Sequence, residues 1–218
     1  MIGGRSKCEV CHKALLPRDL VPIASYIVLG GRCRSCGAAV ARFHLWVELA
    51  AVIVAVIVVI AESDENRIWV DCALGWTLLA ASWIDWEHWI LPDALTLPLI
   101  IGGLASTAWF DPSGITEAAA GAATGYILFR VIEIGYRLLQ GRDGLGQGDA
   151  KLMAAAGAWV GLDGLAPVLI GASTLGIIVI LIRNQSQYYT KNNMVNSNII
   201  QFGPYISLAV FIVHILHL

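Results

Sequence analysis

The chain has 218 residues, of which 57% are hydrophobic and 14% are charged, and its mean hydropathy is +0.70. This balance excludes an ordinary soluble domain, because about a quarter of the residues in such a domain are charged. It predicts a protein of the lipid bilayer, and the net charge of −2 gives no reason to expect a nucleic-acid partner.

Residues 1–43 form the first predicted domain, a polar module that precedes the apolar part of the chain. It contains two C-x2-C pairs, and four thiolates at this spacing are typical of a closed tetrahedral Zn²⁺ site. Such a site has no open coordination position, so the zinc is expected to be structural and to fold a module too small to fold otherwise. His12 is an alternative ligand. The four cysteines are Cys8, Cys11, Cys33 and Cys36.

Residues 44–218 form the second predicted domain, a helical membrane body. A helix needs about 20 apolar residues to cross the hydrocarbon core, and helices are expected because a lipid-exposed backbone must satisfy its own hydrogen bonds. The apolar segments predict an all-α polytopic fold with about seven transmembrane helices. These segments are residues 44–61, 68–84, 94–110, 115–139, 151–162, 165–182 and 205–218.

The distribution of Lys and Arg predicts the orientation of these helices. Cytoplasmic loops carry an excess of positive charge. If the amino terminus is cytoplasmic, 13 of the 14 basic residues lie inside and only Arg67 lies outside. The cysteine module is then in a reducing compartment, which favours zinc over disulfides.

Ionisable residues in or near membrane spans are energetically costly and are therefore candidates for function. Six acidic residues lie in or near the predicted spans, and four of them have structural explanations. Each of the four has a place at the outer interface, a place at the start of a helix, or an ion pair with Arg130 or Arg137 one turn away. These four are Asp71, Asp93, Glu117 and Glu133. Asp85 and Asp149 remain as candidates for function.

Asp149 closes the segment Gly146-Gln147-Gly148-Asp149, and Asp85 ends the second predicted helix at the same inner face. The two glycines allow the backbone to bend and another segment to approach closely. Two neighbouring carboxylates can share a proton, activate a water molecule against a peptide carbonyl and protonate the leaving amine. The same pair could carry protons or cations in a transporter, so these residues alone leave both functions open.

The chain resembles the bacterial type IV prepilin peptidases, which are membrane aspartyl proteases of the GxGD class. The motifs that carry the resemblance are distributed over nearly the whole chain. They are the pair Cys8-x2-Cys11, the segments 19–26, 31–36, 84–85, 91–98, 144–152 and 202–205, and Glu48.

The resemblance implies that Asp85 and Asp149 are the catalytic aspartates and that the four cysteines bind zinc. It implies cleavage of the short basic leader of prepilins or type II secretion pseudopilins at the cytoplasmic face of the bacterial inner membrane. Many members of the family also methylate the new amino terminus with S-adenosylmethionine.

Two departures from the family pattern qualify this expectation. Members usually begin with one more membrane helix before the first cysteine pair, and Gln201 stands where a proline is usual. Proteolysis is therefore expected more firmly than methylation. The alternative is a truncated, inactive homologue that acts as a structural or assembly partner in a pilus or secretion system.

Overall fold

The structure is a computed structural model that describes residues 6–141, 146–189 and 201–217. Their secondary structure consists of helices and two isolated bridges, which confirms the predicted all-α fold. Two short 3₁₀ helices, Pro17–Leu20 and Pro112–Gly114, accompany the α-helices. The α-helices are α1 (Ala24–Val28), α2 (Arg42–Ala61), α3 (Glu65–His88), α4 (Asp93–Phe110), α5 (Ile115–Gln140), α6 (Gln147–Tyr189) and α7 (Gly203–His217).

Four helical segments in the described residues are long and apolar enough to cross a membrane. They are Arg42–Ala61, Asp93–Phe110, Pro112–Gln140 and Gln147–Ile182. The last of them exceeds the roughly 20 residues that one crossing needs. The chain is therefore a multi-pass membrane protein.

The fifth and sixth predicted helices are the two halves of α6, which meet at a kink and are not separated by a loop. The bend between them lies at Gly161, whose φ of 69° and ψ of −173° are not helical. Glycine adopts positive φ without the steric penalty of a Cβ atom. A single residue therefore absorbs the change of direction, and no separate loop is needed.

The chain divides into two compact units, Met1–Ile57 and Val58–Leu218. The core of the second unit is built around the first half of α6, where Leu152, Met153 and Ala156 are fully buried. The main neighbours of α6 are α5, α7 and α4, and α7 also packs against α3. The amino-terminal end of α6 is thus held on several sides.

Glycines bring α5 and α6 into backbone contact. A Cβ atom on Gly157 would lie 2.2 Å from the backbone carbon of Gly121, and one on Gly125 would lie 2.4 Å from the carbonyl oxygen of Met153. Membrane helices use such small residues to approach closely, because van der Waals packing drives their association. This contact fixes α6 against its predecessor in the sequence.

The two ends of α3 are capped in different ways. At its start, the Asp64 side chain accepts hydrogen bonds from the N–H groups of Asn66 and Arg67 at 2.8 and 3.3 Å. At its end, Trp89 adopts a left-handed conformation with φ 59° and donates its N–H to the carbonyl of Asp85. Both arrangements satisfy backbone groups that the helix itself leaves without partners.

Candidate active site

Asp85 lies in the last turn of α3, and the residue is only 7% exposed. The backbone amide of Gly203 is near its carboxylate. Its Oδ2 atom is buried, and no described residue makes a well-formed hydrogen bond to it. A buried carboxylate oxygen without a partner is energetically costly, and such groups concentrate at functional sites.

Asp149 lies in the first turn of α6, where its N–H donates to the carbonyl of Gly146 at 3.1 Å. Its residue surface is partly exposed. The charges of Asp149 and Asp85 are close enough to interact. The structure therefore brings together, from two different helices, the two acids that the sequence singled out, which are more than 60 positions apart in the chain.

Leu91 and two glycines hold these helix ends together. A Cβ atom on Gly148 would lie 2.7 Å from Leu91 Cβ, so the close approach expected for this glycine occurs. A Cβ atom on Gly203 would lie 2.5 Å from Asp85 Oδ2 and 3.3 Å from Leu91 Cδ1. Only glycine fits at both positions without a shift of its neighbours. Residues 142–145 of the motif around Asp149 lie outside the described residues.

The other acids near this end of the bundle are paired. Lys151 forms an ion pair with Asp93, whose side chain is 59% exposed. Glu133 is buried and accepts from Arg130 at 2.5 Å and from Arg137 at 3.0 Å. This confirms the ion pair predicted for Glu133, with both arginines as partners.

Asp71 forms a buried pair with a histidine. It is only 3% exposed, and its Oδ1 is 2.9 Å from His214 Nε2 of α7. The Trp159 ring meets the His214 ring edge to face, with centroids 5.4 Å apart. Sequence reasoning missed His214, and its only signal was a histidine inside an apolar helix.

The four predicted cysteine ligands come together in the first unit. Their Sγ atoms all lie within 4.8 Å of one another, and those of Cys8 and Cys36 are 3.8 Å apart. A tetrahedral site with Zn–S bonds of about 2.3 Å separates its sulfurs by roughly 3.8 Å. The donor set therefore fits a zinc-sized ion, and His12 is not part of the cluster.

The cysteine cluster is built from two similar knuckles. The first has a bridge between Lys7 and Ala14, and the second has one between Arg32 and Ala39. Backbone N–H groups of Cys11 and Val10 lower the pKa of the Cys8 thiol to about 6, whereas burial and the neighbouring thiols raise the pKa of Cys36 to about 11. The thiolate, which is the form that binds metal, is therefore favoured at Cys8 and not at Cys36.

Two further contacts order the segment between the knuckles. Arg34 Nε donates to Asp19 Oδ1 at 2.8 Å, and this hydrogen bond holds the pKa of Asp19 below its usual value. The Ile23 N–H donates to Glu48 Oε2 at 2.7 Å. Ile23 has a φ of 59°, which is unfavourable for a β-branched residue. The Glu48 carboxylate thus stabilises a strained backbone position.

Comparison with known proteins assigns the family. The model described as the type IV leader peptidase family matches residues 72–181, and the model of the bacterial peptidase A24 N-terminal domain matches residues 1–61. The chain belongs to the type IV leader peptidase family. The first match contains both Asp85 and Asp149, and the second contains all four clustered cysteines.

Curated relatives of this chain carry the name prepilin leader peptidase/N-methyltransferase. One from Aeromonas salmonicida strain A449 is 35% identical over 209 residues, which cover 94% of this chain and 69% of the relative. One from Pseudomonas aeruginosa strain PAO1 is 34% identical with the same coverage. One from Dichelobacter nodosus is 32% identical over 204 residues, covering 94% and 68%. No solved structure gives a significant match.

Proposed function

We propose that this chain is an aspartic endopeptidase that cleaves the leader of type IV prepilins or type II secretion pseudopilins. The observation that carries the proposal is the meeting of Asp85 and Asp149, from two different helices, within electrostatic range of each other. The names of the relatives supply the substrate class.

In the proposed reaction, the two carboxylates share one proton. The ionised carboxylate takes a proton from a water molecule, whose oxygen attacks the carbonyl carbon of the scissile peptide bond. The protonated carboxylate then donates its proton to the leaving nitrogen as the C–N bond breaks. General acid and base catalysis of this kind contributes about 10²- to 10⁴-fold to a rate.

The proposed location is the bacterial inner membrane, with the amino terminus and the site at the cytoplasmic surface. The support is the charge distribution, in which 13 of 14 basic residues fall on one predicted side. The proposed role of the cysteine cluster is to bind one structural Zn²⁺ through Cys8, Cys11, Cys33 and Cys36. The metal would stabilise the fold of the first unit, and no step of proteolysis involves it.

Methylation of the new amino terminus is a second proposed activity, with S-adenosylmethionine as the methyl donor. It is favoured by the relatives' names and by a cleft of about 420 Å³ in the first unit. The volume lies in the range of small-molecule sites, and the lining includes Glu48, Asp19 and Tyr26. Transfer of a radioactive methyl group to cleaved pilin would test it, and cleaved pilin that stays unlabelled would exclude it.

The test of proteolysis uses membranes that contain the full chain, incubated with a prepilin. Asp149→Ala and Asp85→Asn should each reduce processing at least about 100-fold, because neither side chain can then exchange a proton. Asp163→Asn is the control, since Asp163 is an exposed carboxylate of α6 beyond the bend at Gly161. It should process at the wild-type rate.

Two outcomes would reject this mechanism. Processing that survives Asp149→Ala would exclude the aspartate pair. A folded wild-type chain that leaves prepilin intact would favour the alternative, an inactive homologue that serves as an assembly partner.

A further inference from the structure

We propose that Gln201 is a positioning residue for Asp85. Gln201 Nε2 donates to the backbone carbonyl of Asp85 at 2.7 Å and to that of Trp86 at 3.0 Å. Both carbonyls belong to the last turn of α3; that of Asp85 also accepts the N–H of Trp89, and a carbonyl oxygen can accept two hydrogen bonds. Gln201 thus binds the backbone of the residue that is to react.

The segment that begins at Gln201 contacts Asp85 twice. Two residues later, Gly203 lies against the carboxylate, with its hypothetical Cβ atom 2.5 Å from Oδ2. No described residue makes a well-formed hydrogen bond to Oδ2, so side-chain bonding does little to orient that oxygen. Its position depends on where the backbone of residue 85 lies and on the wall that Gly203 forms. Gln201 fixes the backbone of residue 85 and the position of Gly203, because its hydrogen bonds join the segment that begins at residue 201 to the end of α3.

The hydrogen bonds of Gln201 also affect the position of Asp149, through Leu91. Leu91 contacts Gly203 on one side and Gly148 on the other, and Gly148 directly precedes Asp149. Displacement of the segment around Gly203 therefore alters the separation of the two carboxylates. Misplacement of a reacting group by about 1 Å can reduce a rate on the order of 100-fold.

This inference rests on the proposed proteolysis, and Gln201→Glu is the variant that tests it. Glutamate has the same length, but its carboxylate cannot donate and is repelled by the two carbonyl oxygens. We expect kcat per folded protein to fall about 10- to 100-fold, whereas KM should stay within about twofold because Gln201 bonds the backbone of Asp85 and Trp86 and is proposed to act through Asp85. Gln201→Lys retains donors of similar reach, and it should return kcat to within about threefold of the wild type.

Trp159→Phe is the matched control for the loss of one hydrogen bond. It removes the Nε1–H bond from Trp159 to the carbonyl of Leu99, at 2.8 Å, which also joins a side chain to a helix backbone in the second unit. It should lower the unfolding temperature about as much as Gln201→Glu and leave kcat unchanged. An equal loss of kcat in both variants, or no rescue by Gln201→Lys, would overturn the positioning role.

Hydrogen exchange of the backbone separates a failure of this inference from a failure of the proposed proteolysis. Gln201→Glu should increase exchange in residues 83–90, and Trp159→Phe should not, whether or not the chain cleaves prepilin. Unchanged exchange in Gln201→Glu would overturn the proposal that Gln201 holds the end of α3, even if the wild type is fully active. If the wild type is inactive and Gln201→Glu still increases exchange, the proposed proteolysis is rejected. The hydrogen bonds of Gln201 to the end of α3 would then have a structural role only.

Discussion

The contact between Gly148 and Leu91 gives a sharp test of how Asp149 is placed. In Gly148→Ala, the new Cβ atom would lie 2.7 Å from Leu91 Cβ. Carbon atoms in contact are normally about 3.5 to 4.0 Å apart, so the overlap is about 1 Å. Leu91 Cβ is bonded to the backbone and cannot rotate away. The overlap must therefore move the backbone at the start of α6, where the next residue is Asp149.

The size of the effect follows from that overlap. A shift of about 1 Å in a reacting group reduces a rate on the order of 100-fold. This corresponds to about 2.7 kcal/mol of activation free energy. Overpacking lowers the free energy of unfolding by about 1 to 3 kcal/mol, and replacing glycine by alanine in a helix raises it by up to about 1 kcal/mol. We therefore expect a folded protein with kcat/KM for prepilin reduced about 100-fold.

The assay is the conversion of prepilin to mature pilin in membranes with equal amounts of folded variant. Gly135→Ala is the control, because a Cβ atom at Gly135 on α5 would meet nothing within 4 Å. It should process at the wild-type rate. Wild-type processing by Gly148→Ala, at an unchanged unfolding temperature, would refute the contact and the reasoning built on it.

Three further predictions concern the folded state and the metal. Gly157→Ala places a Cβ atom 2.2 Å from the backbone of Gly121, and we expect it to cost about 3 kcal/mol or more in thermal unfolding; a stability equal to wild type would contradict the backbone contact. Asp71→Ala removes the partner of His214 and should cost about 1 to 3 kcal/mol, as for a buried polar group left without its hydrogen-bond partner; unchanged unfolding would show that the pair is not formed. Elemental analysis should find one zinc per chain, and Cys36→Ser should lower the zinc content, whereas full retention would exclude Cys36 as a ligand.

The positions of the helices could largely be predicted from the sequence because apolar length is a local property. Residues 94–110 were expected as a helix, and α4 spans Asp93–Phe110 between Pro92 and Asp111. A break between two helices was predicted at residues 163–164, and the bend in α6 lies close to it, at Gly161. The predicted loop is not formed, because the positive φ of Gly161 lets the chain stay helical on both sides.

The parts of the candidate site differ in how far the sequence could predict them. The cysteine cluster depends on two local knuckles, so the C-x2-C spacing was enough to identify its four members. The pair of Asp71 with His214 joins residues 143 positions apart in the chain, and the hydrogen bond of Gln201 to Asp85 joins residues 116 positions apart. Which faces of α3 and α7 meet depends on tertiary packing, and no local pattern reports it.

The contrast between near and distant contacts also bears on the order in which the site forms. The backbone contact of α5 with α6 joins consecutive helices, and contacts of low sequence separation form early in folding. The start of α6, with Asp149, can therefore be in place while the ribosome is still making the rest of the chain. The wall beside Asp85 is supplied by Gly203, at the first residue of α7. Assembly of the aspartate site thus waits for insertion of α7, which keeps it incomplete in the nascent chain.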